Sequence, residues 1–157
     1  MNSWVGTITL AVGLAAGTGA AFAAKPEPQP PDFSFTAPCP GDLTLTVEAT
    51  GSMKVIGLPG ERQIVSSPNL RVTVTAPNGN AVSYVVTGAS HIEFLPNNIT
   101  RTTATGRNLV FVPSSPGPAG IFLTVGDVSF TNNTTTGAEI ERFSGTGRVV
   151  DVCQLLN

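Results

Sequence analysis

Residues 69–87 read NLRVTVTAPNGNAVSYVVT, and that stretch decides the fold. Leu70, Val72, Val74 and Ala76 alternate with Arg71, Thr73 and Thr75. A period of two puts every apolar side chain on one face of a β-strand. Pro77 has the fixed φ that suits the first central position of a type I turn, and Gly79 suits the left-handed residue after it. The chain then resumes as AVSYVV. The stretch predicts a hairpin with a bulge at its turn.

Working outward, DLTLTVEA (42–49) repeats the pattern, with Leu43, Leu45, Val47 and Ala49 opposed to Thr44, Thr46 and Glu48. Further strand candidates are HIEFL (91–95), TRTTAT (100–105), NLVFV (108–112), IFLTVGDVSF (121–130), AEIERF (138–143) and RVVDVCQLL (148–156), the last with room for one helical turn. Turn-formers separate most of them: Pro96-Asn97-Asn98, Gly106, PSSPGPAG (113–120), NNTTTG (132–137) and SGTG (144–147). Many short strands with turns between them predict an all-β fold, an antiparallel β-sandwich. Immunoglobulin-like and jelly-roll-like strand orders both remain open.

AVSYVV, NLVFV, IFLTV and RVVDV are apolar on both parities, whereas a strand in a half-solvated sheet is apolar on one. Bulges or a protected second face would account for this. So would an apolar outer patch or an interior ligand cavity.

Residues Trp4 to Ala24 hold no charged side chain, and Ala21 and Ala23 form the small-x-small pattern of a signal-peptidase site. We expect cleavage after Ala23, although the opening MNS lacks Lys and Arg. An uncleaved anchor is the competing reading, because the stretch nearly reaches spanning length; its Gly, Ala and Thr content weakens it. Prolines at 26, 28, 30 and 31 then make a stiff extended spacer. The expected organisation is a signal peptide at 1–23, a Pro-rich spacer at 24–38 and a β-sandwich at 39–157.

Export governs the reading of the two cysteines, Cys39 and Cys153. In an oxidising compartment they pair and stay paired. The alternatives are two buried free thiols or an intermolecular bond. No C-x-x-C motif is present, and neither cysteine has the neighbours of a nucleophile. A bond between them brings the first and last strands together.

Composition excludes several classes. With 8 basic and 10 acidic residues the net charge is −2, which does not suit nucleic acid. Charged residues are 11% of the chain, so Thr, Ser, Asn and backbone must supply much of the polar surface. Ser90 precedes the lone histidine, His91, but neighbours on a strand face opposite ways, which argues against a nucleophile–base pair. His91 and Glu93 share a face, yet a closed zinc site needs four ligands and no others are in view. Glu139 and Glu141 form a similar pair beside Arg142 and read as a solvated strand face rather than as two catalytic carboxylates. The sole Trp, Trp4, lies in the leader, and Tyr84 is the sole Tyr, which disfavours an aromatic sugar platform. Asn98-Ile99-Thr100, Asn132-Asn133-Thr134 and Asn133-Thr134-Thr135 match the N-glycosylation pattern.

FSFTAPCPGDLTLTVEATG (33–51) and GTGRVVDVCQLLN (145–157) together resemble a group of small secreted proteins of high-GC Gram-positive bacteria. These have a signal peptide, an early Cys after a Phe-rich stretch, a Thr/Gly-rich β body and a terminal VDVC. The group is uncharacterised. The resemblance implies export and the Cys39–Cys153 pair, and no activity.

The expected function is an extracellular, non-enzymatic binding or surface-interaction module without a cofactor, whose partner is an unidentified ligand or protein. Cell-surface association and self-assembly stay open. The alternative is a carrier of a small apolar ligand, in a cavity lined from IFLTV, NLVFV and AVSYVV. A hydrolase built around His91 comes third.

Overall fold

In the computed structural model, which describes residues 32–112, 120–136 and 138–157, the expected hairpin is present. Strands β5 (Leu70–Thr75) and β6 (Ala81–Val86) pair antiparallel. The Gly79 N–H donates to the Ala76 carbonyl at 2.9 Å, closing the turn, and the Ala76 N–H donates to Asn80 at 2.8 Å, making the bulge. Gly79 has φ 88°, a left-handed value that costs glycine little.

The remaining strands are β1 (Asp32–Pro38), β2 (Thr44–Thr50), β3 (Lys54–Leu58), β4 (Arg62–Ser66), β7 (Ala89–Leu95), β8 (Ile99–Thr105), β9 (Arg107–Val112), β10 (Gly120–Val125), β11 (Val128–Asn133), β12 (Glu139–Gly145) and β13 (Arg148–Asp151). A short helix, α1 (Val152–Leu156), ends the chain, its first turn capped by Asp151, which accepts from the Gln154 N–H. All described pairings are antiparallel, in three sheets. Sheet I has the order β1-β2-β5-β6, sheet II β13-β10-β9, and sheet III β12-β11-β8-β7-β4-β3.

Sheet III is a plain meander, and its strands run on into the other two sheets after one to three residues. Thus β3, β4 and β7 continue β2, β5 and β6 of sheet I, while β8, β11 and β12 continue into β9, β10 and β13 of sheet II. The strand order is therefore neither immunoglobulin-like nor jelly-roll-like. One meander forks between β6–β7 and β8–β9.

Hydrogen bonds continue across the corners: Ser67 N–H to Gly88 O, Gly88 N–H to Arg107 O, Gly126 N–H to Gly106 O, and Gly147 N–H to Asp127 O. Two corners need glycine for the approach of their neighbours. Gly106 (φ 75°) and Gly126 (φ 94°) would each place a Cβ 3.2 Å from the Cα of another corner glycine, Gly88 and Gly147 respectively.

The core lies between sheets I and II. Cross-strand rows such as Phe35–Val47–Val74–Val82 point inward from sheet I. Ile121 and Leu123 of β10, with Val152, Cys153 and Leu156, close over it. The other parity of β10 is buried too: Phe122 packs edge-on against Phe143 of β12, with centroids 5.0 Å apart. Sheet III therefore covers the second face of sheet II, which explains why IFLTV is apolar on both sides.

Cys39 and Cys153 form a disulfide with Cα atoms 5.7 Å apart, joining the end of β1 to α1. Strand β1 occupies residues 32–38, so the sheet begins ahead of the Cys39 boundary; Phe33 and Phe35 alternate into it. The hairpin β3–β4, turned at Pro59-Gly60, was not among the expected strands. The expected leader, with Trp4, Ala21 and Ala23, and residues 24–31 of the expected spacer lie outside the described residues. Among the described residues, no helix is long and apolar enough to cross a membrane.

Candidate functional site

Where the strands fork, sheets I and II diverge and leave a cleft of ≈ 190 Å³ at the β9 edge of sheet II. Its floor is the inner face of sheet I: Phe33 and Phe35 from β1, Val47 and Ala49 from β2, and Val72 from β5. The corner end is closed by Met53, Val65, Ser67 and Ser90, and the opposing wall is β9, through Asn108, Leu109 and Phe111. No lining side chain is charged. Phe35 meets Phe111 edge-on at 5.1 Å and stacks with Phe33 at 6.2 Å, so three aromatic rings gather at the site. Phe111 stays 41% exposed although apolar.

One polar side chain of the lining, Asn108, is tied to the frame. The Asn108 amide donates to the Thr105 carbonyl at 2.9 Å, across the β8–β9 corner. Tyr84 lies on the inward face of sheet I; burial raises its pKa, and the nearby Arg107 guanidinium partly offsets this. A second cavity of ≈ 60 Å³ between sheets II and III, lined by Phe111, Val112, Phe130 and Phe143 among others, has room for water only.

The sequence-predicted residues fall in different places. Ser90 lines the cleft while His91 is exposed on the opposite face of β7, level with Ile64 and Thr103. The two are not a catalytic pair in this geometry. Glu93 is bound to Arg101 at 3.8 Å, an exposed ion pair of small worth. Among the described residues, no three His, Cys, Asp or Glu side chains gather as metal ligands do.

Glu139 and Glu141 do not share a face. Two register shifts in β12 set Glu139 opposite Asn132 and Glu141 opposite Thr131, neighbours that point to opposite sides of β11. Glu139 is held by Arg142 at 2.8 Å, its side chain only 16% exposed, and the Arg142 guanidinium lies over the Phe122 ring. The solvated-face reading thus fits Glu141 and not Glu139.

Of the three segments expected to line a cavity, NLVFV does, AVSYVV contributes Val86 alone, and IFLTV lies elsewhere, in the packed middle layer. The sequence reading missed Phe33, Phe35, Met53 and Val65. The Phe33-Ser34-Phe35 alternation was the available signal for the first two. The sequon residues straddle the start of β8 and the end of β11 with their adjacent turns, where Asn98 O accepts from the Thr134 N–H at 2.7 Å.

Comparison with family models, curated proteins and solved structures finds no match to this chain.

Proposed function

We propose that the protein is an extracellular, non-enzymatic binding module whose binding site is the cleft at the fork. The observation that carries this is the gathering of Phe33, Phe35 and Phe111 around an uncharged, partly open space, with an exposed Phe111 at its wall. Size selects between the two binding readings. Sites that engulf a small-molecule ligand usually measure about 300–1,000 Å³. At ≈ 190 Å³ the cleft holds one or two apolar groups of a larger partner. That favours an interaction surface over a carrier that encloses its cargo. A buried disulfide fits an oxidising, extracellular setting.

The test is titration with an uncharged fluorescent naphthylamine. We expect saturable binding that falls by about tenfold in Phe111→Ser, since losing most of a ring contact costs about 1–2 kcal/mol. No saturable binding, or binding indifferent to Phe111→Ser, would remove the cleft as the site.

A further inference from the structure

We propose that the cleft receives the extended C-terminal segment of a partner protein, which adds to sheet II as a fourth strand beside β9. This rests on the cleft being the binding site. The corner hydrogen bonds fix the direction in which β9 presents its backbone. Gly106 O accepts from Gly126 N–H on the β10 side, whereas Arg107 O accepts from Gly88 N–H on the other. In an antiparallel ladder the N–H and C=O of one residue point the same way, and successive residues alternate. Asn108 and Val110 therefore turn their backbone groups toward β10, and Leu109 and Phe111 turn theirs away from it.

Among the described strands, β9 pairs with β10 alone. Leu109 and Phe111 thus offer two N–H and two C=O groups on the open edge, and the side chains of the same residues line the cleft. A purely apolar ligand would leave those groups without partners, whereas a peptide backbone matches them in spacing and in alternation. Of the other edges, β12 has two register shifts with Glu139, Glu141 and Arg142, β3 opens with Lys54, and β1 ends at Pro38; β6 is also uncharged and free of proline, but it reaches the cleft through Val86 alone. From Leu109 to Val112, β9 has no charge and no proline.

The ends of the cleft set the direction of the guest. The Gly88–Arg107 hydrogen bond shuts the corner end, so a strand entering along β9 must stop there. Arg107 has the same parity as Leu109 and Phe111, and its guanidinium acts on the inward-facing Tyr84. An antiparallel guest brings its C-terminus to this point, and its carboxylate meets the cation. The inferred partner is an uncharged apolar tail ending in a free carboxylate.

The experiment uses the full disulfide-bonded chain and three synthetic hexapeptides of alternating Thr and Val: a free acid, its C-terminal amide, and the acid N-methylated on alternate backbone nitrogens. Affinity is measured by titration, and amide hydrogen exchange by NMR. We expect the free acid to slow exchange at the Leu109 and Phe111 amides at least tenfold. N-methylation on the edge-facing nitrogens should weaken binding at least tenfold. The amide should bind several-fold more weakly than the acid, a difference that Arg107→Gln erases. Equal binding of methylated and unmethylated acids, or no protection at Leu109 and Phe111, would overturn the inference. If the naphthylamine binds and no peptide does, the strand is refuted and the cleft stands; if neither binds, both fall.

Discussion

Removing the Cys39–Cys153 bond tests the architecture most directly. The two residues are 114 positions apart, so the bond closes almost the whole described chain into one loop. In the chain-entropy treatment a loop of that length restricts the unfolded state by about 4.8 kcal/mol. Residual structure in the unfolded chain reduces the figure. Removing the sulfurs of two buried residues, 4% and 3% exposed, leaves a void and raises it. For Cys39→Ala/Cys153→Ala we expect a net loss of about 2–5 kcal/mol. At about 4 °C per kcal/mol for a domain of this size, the midpoint of thermal unfolding should fall by roughly 8–20 °C. Urea titration followed by circular dichroism adds a second signature. The open unfolded chain exposes more surface than the looped one, so the slope m should rise while the midpoint falls. Coincident urea curves for the oxidised protein and the double variant would refute the reasoning.

Further perturbations probe the corners and the middle layer. Gly51→Ala puts a Cβ onto the Asn69 carbonyl at φ 123° and should cost roughly 1–3 kcal/mol, while Gly57→Ala, which meets nothing within 4 Å, should be near neutral; equal melting of the two variants would count against the corner argument. The Thr124 hydroxyl is fully buried in sheet II with no hydrogen-bond partner among the described residues, so the near-isosteric Thr124→Val should stabilise by about 1 kcal/mol, and a clear loss in urea unfolding would show the hydroxyl to be satisfied. Burial raises the Tyr84 pKa above its ordinary 10.0, so the folded state holds that proton more tightly than the unfolded state. The stabilising contribution is complete below pH 10.0 and is lost as pH climbs through the folded value. Tyr84→Phe should flatten that alkaline decline, and an unchanged profile would exclude Tyr84 as its source.

The β5–β6 hairpin was legible because Pro77, Gly79 and the flanking alternation are local facts, settled within a dozen residues. The cysteine pair was legible because only one intramolecular bond can form between two thiols. The fork was not, for a physical reason. A glycine with positive φ serves equally well in a turn that reverses a strand and in a corner that carries it into another sheet. Gly106 and the SGTG segment read as separators, yet the chain passes through them onward into sheet II. Only pairing between distant strands distinguishes the two uses. The same holds for Glu139 and Glu141, whose common face follows from spacing until the bulges against β11 undo it. The cleft was hidden for a further reason: its walls come from β1 and β9, which meet only through the tertiary fold.

The disulfide also determines how the protein would carry load. Tension applied between the two ends of the chain enters through β1, crosses from Cys39 to Cys153, and leaves through α1. The residues between the cysteines are bypassed. Pulling the oxidised protein can strip β1 from β2 and unwind α1, but sheets II and III feel no direct force. Some 114 residues, about 390 Å of extended chain, stay locked out of the extension until the bond is reduced. A cleft that lies beside β1, and borrows Phe33 and Phe35 from it, would be the first part of the molecule to respond to that tension.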